Sequence, residues 1–170
     1  MQRLVLLLCL LPLSIFATAP VLVEQTWSAS KNNSITPNVA YYAIIVNQQN
    51  QMPKLKPGAI GRLFLKQFQL KGPNGKNLIP VNNTAGHNMS AFAQGVLNWS
   101  GAQLNSYWSR QIFSGGQTPL LSFSSNGKVI AYVSKHINAI SYIPVEALYM
   151  PVRYPKGTVR VMALFRITMH

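Results

Sequence analysis

The row Tyr41-Tyr42-Ala43-Ile44-Ile45-Val46 constrains the fold more than any other feature of the chain. An unbroken, short apolar row rich in aromatic and β-branched residues reads as a strand covered on both faces. Covering two faces takes helices on either side, and the downstream sequence supplies helical patterns at intervals. A polar turn, Asn47 to Gln51, comes first. Pro57 then stands early in a helix carrying Ile60, Leu63 and Phe64 at i, i+3, i+4 spacing. Gly72-Pro73-Asn74-Gly75 is a turn cluster, and Leu78-Ile79-Pro80-Val81 reads as a second strand.

A helix from about Asn88 places Phe92 and Val96 on one face and ends before Asn98-Trp99. Ser100-Gly101-Ala102-Gln103 is a capping box, in which the serine oxygen accepts from the Gln103 amide and the glutamine side chain reaches back. Leu104, Tyr107, Trp108 and Ile112 follow as one apolar stripe, expected in the core, and Gly115-Gly116 stops that helix. Ser125 to His136 reads as a further helix with Val129, Ile130 and Val133. Ala139 to Ile143 and Val159 to Phe165 read as strands. Alternating strands and helices predict an α/β layer architecture.

Charge decides which chemistries are open. The 170 residues include 15 Lys and Arg but only 2 acids, Glu24 and Glu146, with no aspartate and a net charge of +13. Paired-carboxylate hydrolysis, EF-hand loops and two-metal phosphoryl transfer therefore lack their ligands. A Ser-His-Asp arrangement lacks its orienting acid, and no nucleophile elbow occurs. His87, His136 and His170, without aspartate or a second cysteine, make no recognisable metal site. The reading is a non-enzymatic protein that implies no cofactor. His136, near the end of its helix, has a structural role in which the dipole favours its charged form.

Met1 to Ala19 reads as a secretory signal peptide: Arg3, the apolar run Leu4 to Leu11, then Pro12 and small residues, with cleavage near Ala17. A membrane anchor is the competing reading, but the run is short for a bilayer and Pro12 breaks it. Cys9, the one cysteine, lies in the segment to be removed, so the mature chain has neither disulfide nor thiol chemistry. The expected organisation is residues 1–17 signal peptide, 18–38 irregular leader and 39–170 domain, in the periplasm or secreted from a bacterium. A mature chain of this size buries roughly 68–70% of its unfolded surface and can stand without staples. The N-x-S/T matches at Asn32, Asn82, Asn88 and Asn98 are read as chance.

So basic a chain favours anionic partners. Nucleic acid is not expected, because the bases are scattered, no reader motif accompanies them, and the chain is exported. Much of the basic surface is read as simply solvated.

Several segments resemble one family. Leu63-Phe64-Leu65-Lys66, Gly72-Pro73-Asn74-Gly75, Ile79-Pro80-Val81, Tyr107-Trp108-Ser109-Arg110-Gln111-Ile112-Phe113-Ser114-Gly115 and Asn138-Ala139-Ile140-Ser141-Tyr142-Ile143 look like segments of the PstS-like phosphate ABC-transporter substrate-binding proteins, in particular their short periplasmic relatives. The resemblance runs from about Tyr41 to Pro144. It implies a single lobe of a type II periplasmic binding protein fold, a mixed sheet flanked by helices. It also implies an oxyanion at the start of the helix after Val81, where free amides and a positive dipole end meet it. The matching stretch, Asn82 to Ser90, lacks the family's Ser-Gly-Thr signature but keeps Thr84, Gly86, His87, Asn88 and Ser90.

Those five residues are the candidate oxyanion ligands, with Arg110 as a further anion clamp. A lone lobe cannot enclose the site, so affinity should be weak unless a dimer restores the wall. The alternative is a cell-envelope adaptor that has lost ligand capture and binds an acidic protein or polyanion through its basic surface.

Overall fold

The structure is a computed structural model and describes residues 38–149 and 158–169. The signal peptide and nearly all of the leader expected from the sequence lie outside the described residues.

Five strands form one sheet in the order β3-β2-β4-β1-β5. They are β1 (Asn38–Asn47), β2 (Ile79–Asn83), β3 (Leu121–Phe123), β4 (Ala139–Pro144) and β5 (Val159–Met169). The sheet is mixed: β2 runs parallel to both β3 and β4, whereas β1 runs antiparallel to β4 and to β5. The helices are α1 (Pro57–Phe64), α2 (Asn88–Phe92), α3 (Gly101–Phe113) and α4 (Asn126–Lys135). A π turn, Ala93–Leu97, prolongs α2, and a 3-10 turn, Val145–Leu148, follows β4.

β1 is covered on both faces, as its apolar row predicts. Ile44 and Val46 join Ile140, Tyr142, Met162 and the α1 and α2 residues Ile60, Leu63, Phe64 and Phe92 in one cluster. Ala43 and Ile45 face the other way, against Val129, Ile130 and Val133 of α4. Side chains alternate across a strand, so one row feeds two cores. A bulge between Ile44 and Ile45 leaves Met162 of β5 as the extra residue, and that side chain is fully buried in the first cluster.

The capping box at Ser100 forms as expected: its hydroxyl accepts from the Gln103 amide at 3.2 Å, and the Gln103 side chain accepts from the Ser100 amide at 2.7 Å. The stripe that follows is not core throughout, which corrects the sequence reading. Leu104 is buried and Tyr107 and Trp108 are partly buried, but Ile112 is 45% exposed and neighbouring Phe113 is 90% exposed. The N-terminal half of α3 packs with Leu65 and Ala93, and its last turn runs beyond that cluster. Two elements were not read from the sequence. β3 is three residues long, and the π turn closes on Asn98 in the left-handed region (φ 55). That turn sets Gly95 against Phe165 of β5, where a Cβ would stand 2.4 Å from the ring.

Candidate functional site

The chain leaves β2 toward one face of the sheet through α2 and α3, reaches β3, and returns through α4 on the opposite face to β4. β2 is therefore the strand at which the connections change direction. Ligands in open α/β sheets lie outside the carboxyl ends of the strands at such a point. Here that edge is made by Asn83 at the end of β2, the turn 84–87, and the first residues of α4.

Three asparagine side chains tie this edge together. Asn126, the first residue of α4, accepts through Oδ1 from Asn83 Nδ2 at 2.8 Å and from Asn88 Nδ2 at 2.9 Å. Asn83 Nδ2 also donates to the Tyr142 carbonyl at 3.0 Å, and Asn83 Oδ1 accepts from the Ala85 amide at 3.1 Å. Asn83 and Asn88 are both buried. Tyr142 closes the floor: its hydroxyl donates to Asn82 Oδ1, and burial holds its pKa well above the ordinary value. Neutral donors and acceptors thus pin α2 and α4 to the sheet edge with no charge in the linkage.

Both helix starts at this edge lack a side-chain cap. His87 precedes α2 and Ser125 precedes α4, and neither bonds its helix's amides, in contrast to the fully capped α3. No acid stands in the first turn of either helix. Instead the exposed residues are His87 at one start and Lys128, third residue of α4, at the other. A cation at a helix N-terminus opposes the dipole unless an anion stands between them.

The candidate residues fall into two groups. Thr84, Gly86, His87 and Asn88 share the carboxyl edge. The Thr84 hydroxyl donates to the Phe123 carbonyl at 3.2 Å, which ties the turn to β3, and Gly86 takes φ 52, a left-handed conformation suited to glycine. Asn88 is only 3% exposed, so it supports the edge from below. Ser90 is exposed and sits against the start of α3, its Oγ 2.8 Å from where a Cβ on Gly101 would be. Arg110 is not brought to this group. It lies on the exposed side of α3, donates to the Ser106 carbonyl at 3.4 Å, and borders an open groove with Trp99 and Gln103.

Sequence reasoning missed Asn83, Asn126 and Lys128. The signal was there: Asn83 ends an apolar strand, and Ser125-Asn126-Gly127 stands where a helix cap belongs. Reading both as ligand-edge positions required the strand order. His136 behaves as expected of a helix end, its Nδ1 2.7 Å from the Tyr132 carbonyl and its ring stacked on Tyr132. Among the described residues no group of three His, Cys, Asp or Glu could hold a metal, and no helix is long and apolar enough to cross a membrane.

The architecture is that of a single lobe of a periplasmic binding protein, an α/β fold with a mixed sheet between helices. A structure from Clostridium perfringens, described as a phosphate ABC transporter substrate-binding protein and solved with bound phosphate, shares it at TM-score 0.52 and 18% identity over 72% of this chain and 45% of that one. An ABC-type phosphate transport receptor from Vibrio cholerae matches at TM-score 0.44 and 19% identity (72% and 46% covered). PstS from Borrelia burgdorferi matches at 0.45 and 15% (76% and 58%). The chain spans about half the length of these proteins. No protein-family profile and no curated protein matches it.

Proposed function

We propose that this chain is a non-enzymatic solute-binding module of the bacterial periplasm or exterior that takes phosphate or a related small oxyanion. The ligand sits at the carboxyl edge of the sheet, in front of Asn126 and between the starts of α2 and α4. The observation that carries this reading is the pair of uncapped helix starts at one edge, each with a base where an acid would cap it. Backbone amides around Gly86, His87 and Ser90 and the first amides of α4 face the anion, with the Thr84 and Ser90 hydroxyls beside them and His87 and Lys128 supplying charge. Asn83, Asn88 and Asn126 hold the two starts in register. Arg110 stands outside this site. The phosphate in the Clostridium structure supports the choice of ligand.

The test is a thermal-melt series with phosphate, sulfate and chloride at matched ionic strength. A ligand at 1,000 times its dissociation constant stabilises by about 4 kcal/mol, which moves the melt of a domain this size by roughly 10 °C. Phosphate should raise the melt and chloride should not, and Lys128→Met should shrink the rise. Equal melts in all three salts refute the reading.

A second reading, an envelope adaptor with an acidic partner, draws on the exposed end of α3. Phe113 and Ile112 stand in solvent, as an apolar anchor for a partner protein does. Phe113→Ser would abolish that association and leave the phosphate melts unchanged.

A further inference from the structure

A cavity of about 460 Å³ opens at the amino edge of β2 and β3, the edge opposite Asn83. Its walls come from the end of α1, the loop 66–78 and the turn 116–118 leading toward β3. The volume falls in the range of small-molecule sites. Two features set this cavity apart. Lys66 takes φ 52, a left-handed conformation that a side-chain-bearing residue seldom adopts. Its ammonium donates to the Thr118 carbonyl at 2.8 Å and hydroxyl at 3.2 Å, while its carbonyl accepts from Gln117 Nε2 at 3.4 Å. The two loops are thereby laced across the cavity.

The second feature is a pair of acceptors. Asn77 Oδ1 and Gln117 Oε1 belong to cavity-lining residues, are buried, and have no hydrogen-bond partner among the described residues. The amide nitrogen of each is committed, Asn77 Nδ2 to Gln69 Oε1 at 2.7 Å and Gln117 Nε2 to Lys66. Buried acceptors are ordinarily satisfied. The terminal torsions of such side chains are broad, so small rotations present both oxygens to an entering donor.

The ligand's donors are neutral. Glu146, the one acid among the described residues, lies in the 3-10 turn packed on the α4 face, so an ammonium here would be desolvated without a counter-charge. Cations line the rim instead: Lys66 in the wall, Arg62 over the Phe68 ring at 5.3 Å, and Lys71 and Lys76 on the same loop. Leu63, Phe68 and Pro80 give an apolar wall suited to the C–H face of a ring. We propose that this cavity binds a carboxylate-bearing sugar ring, with hydroxyls donating to Asn77 and Gln117 and the carboxylate turned toward Lys66. Such a ring occurs free or as the repeating unit of an acidic polysaccharide.

The experiment is calorimetry with amide-shift mapping on the protein, using glucuronate, glucose and acetate at matched ionic strength, then an oligogalacturonate. Glucuronate should bind at least about tenfold tighter than glucose, shifting amides near Lys66, Asn77 and Gln117 and sparing Asn83 to Asn88. Lys66→Met should reduce glucuronate to the level of glucose. Gln117→Leu should lose both sugars, with circular dichroism reporting its fold; if it unfolds, the shift map of the parent protein decides. An oligomer bound more tightly than glucuronate, with steep salt dependence, identifies the polymer as the source, and equal affinity identifies the free acid. Acetate binding as well as glucuronate, or no shifts near the cavity at about 10 mM sugar, overturns the proposal. The outcome is independent of phosphate binding at the other edge.

Discussion

Asn126 is the residue on which the carboxyl edge turns, and its substitution has a calculable cost. In Asn126→Ala, Asn88 Nδ2 loses the acceptor at 2.9 Å that is its sole partner among the described residues, and Asn83 Nδ2 keeps the Tyr142 carbonyl at 3.0 Å but loses its bond at 2.8 Å. A buried donor left unpaired costs about 1–3 kcal/mol and a lost bond about 1 kcal/mol, so the expected loss is about 2–3 kcal/mol. For a domain of this size the melt falls by roughly 10 °C. Asn126→Asp should move the other way. The same two amides then bond a carboxylate at the first position of α4, worth about 1 kcal/mol. These donors favour the ionised carboxyl, so its folded pKa lies below the unfolded value of about 3.9. The gain is full above that value and disappears as pH falls through the folded pKa. The carboxylate also fills the place proposed for the oxyanion, so this variant should ignore phosphate. Urea unfolding followed by tryptophan fluorescence at pH 7 and pH 3, with phosphate melts, measures all of this. An Asn126→Ala protein as stable as its parent, or an Asn126→Asp protein less stable at pH 7, refutes the reasoning.

Gly95→Ala should cost about 1–3 kcal/mol by overpacking, because its Cβ would meet the Phe165 ring at 2.4 Å; denaturant midpoints check this, and a neutral result would mean that β5 yields. Ser100→Ala should lose about 1 kcal/mol with the capping box, seen as a lower melt that Ser100→Asp restores. Burial raises the Tyr142 pKa, so its contribution to stability is complete below the unfolded value of about 10 and is lost as pH rises toward the folded one. Alkaline unfolding should therefore begin later in Tyr142→Phe, once its lower starting stability is subtracted.

The elements with strong local signals were legible. The row Tyr41 to Val46 announced a strand with two cores, Pro57 and the Ser100 box marked helix starts, and Gly115 with φ 69 marked a stop. What escaped depended on partners far along the chain. β3 is extended because it pairs with β2 at Val81, Asn82 and Asn83, and nothing in its own three residues demands it. The outward end of α3 escaped because periodicity reports an apolar stripe but not how far its covering extends. The candidate site was half legible. Thr84, Gly86, His87 and Asn88 are contiguous and follow a strand, so the resemblance and the helix start pointed at them together. Asn126 lies 38 residues beyond Asn88, and only the crossover from β3 back past β2 brings them into contact.

Arg160 shows why net charge alone was a poor guide to function. Its guanidinium donates to the Asn50 carbonyl at 2.6 and 3.0 Å and to the Met52 carbonyl at 2.9 Å, clamping the loop after β1 to β5. A base spent on the fold is not available to a partner. The remaining charge matters by position. The Debye length is about 8 Å at physiological ionic strength, so cations spread over the surface are largely screened from a small ligand, whereas amides in contact with an anion are not. An oxyanion held by helix amides at the carboxyl edge should therefore be distinguished by the geometry of its oxygens and lose little affinity to salt. A polymer lying over Arg62, Lys71 and Lys76 at the amino edge should be distinguished by charge spacing and released by salt. Ionic strength is thus the variable that separates the two edges, because one gathers fixed dipoles and the other mobile charges.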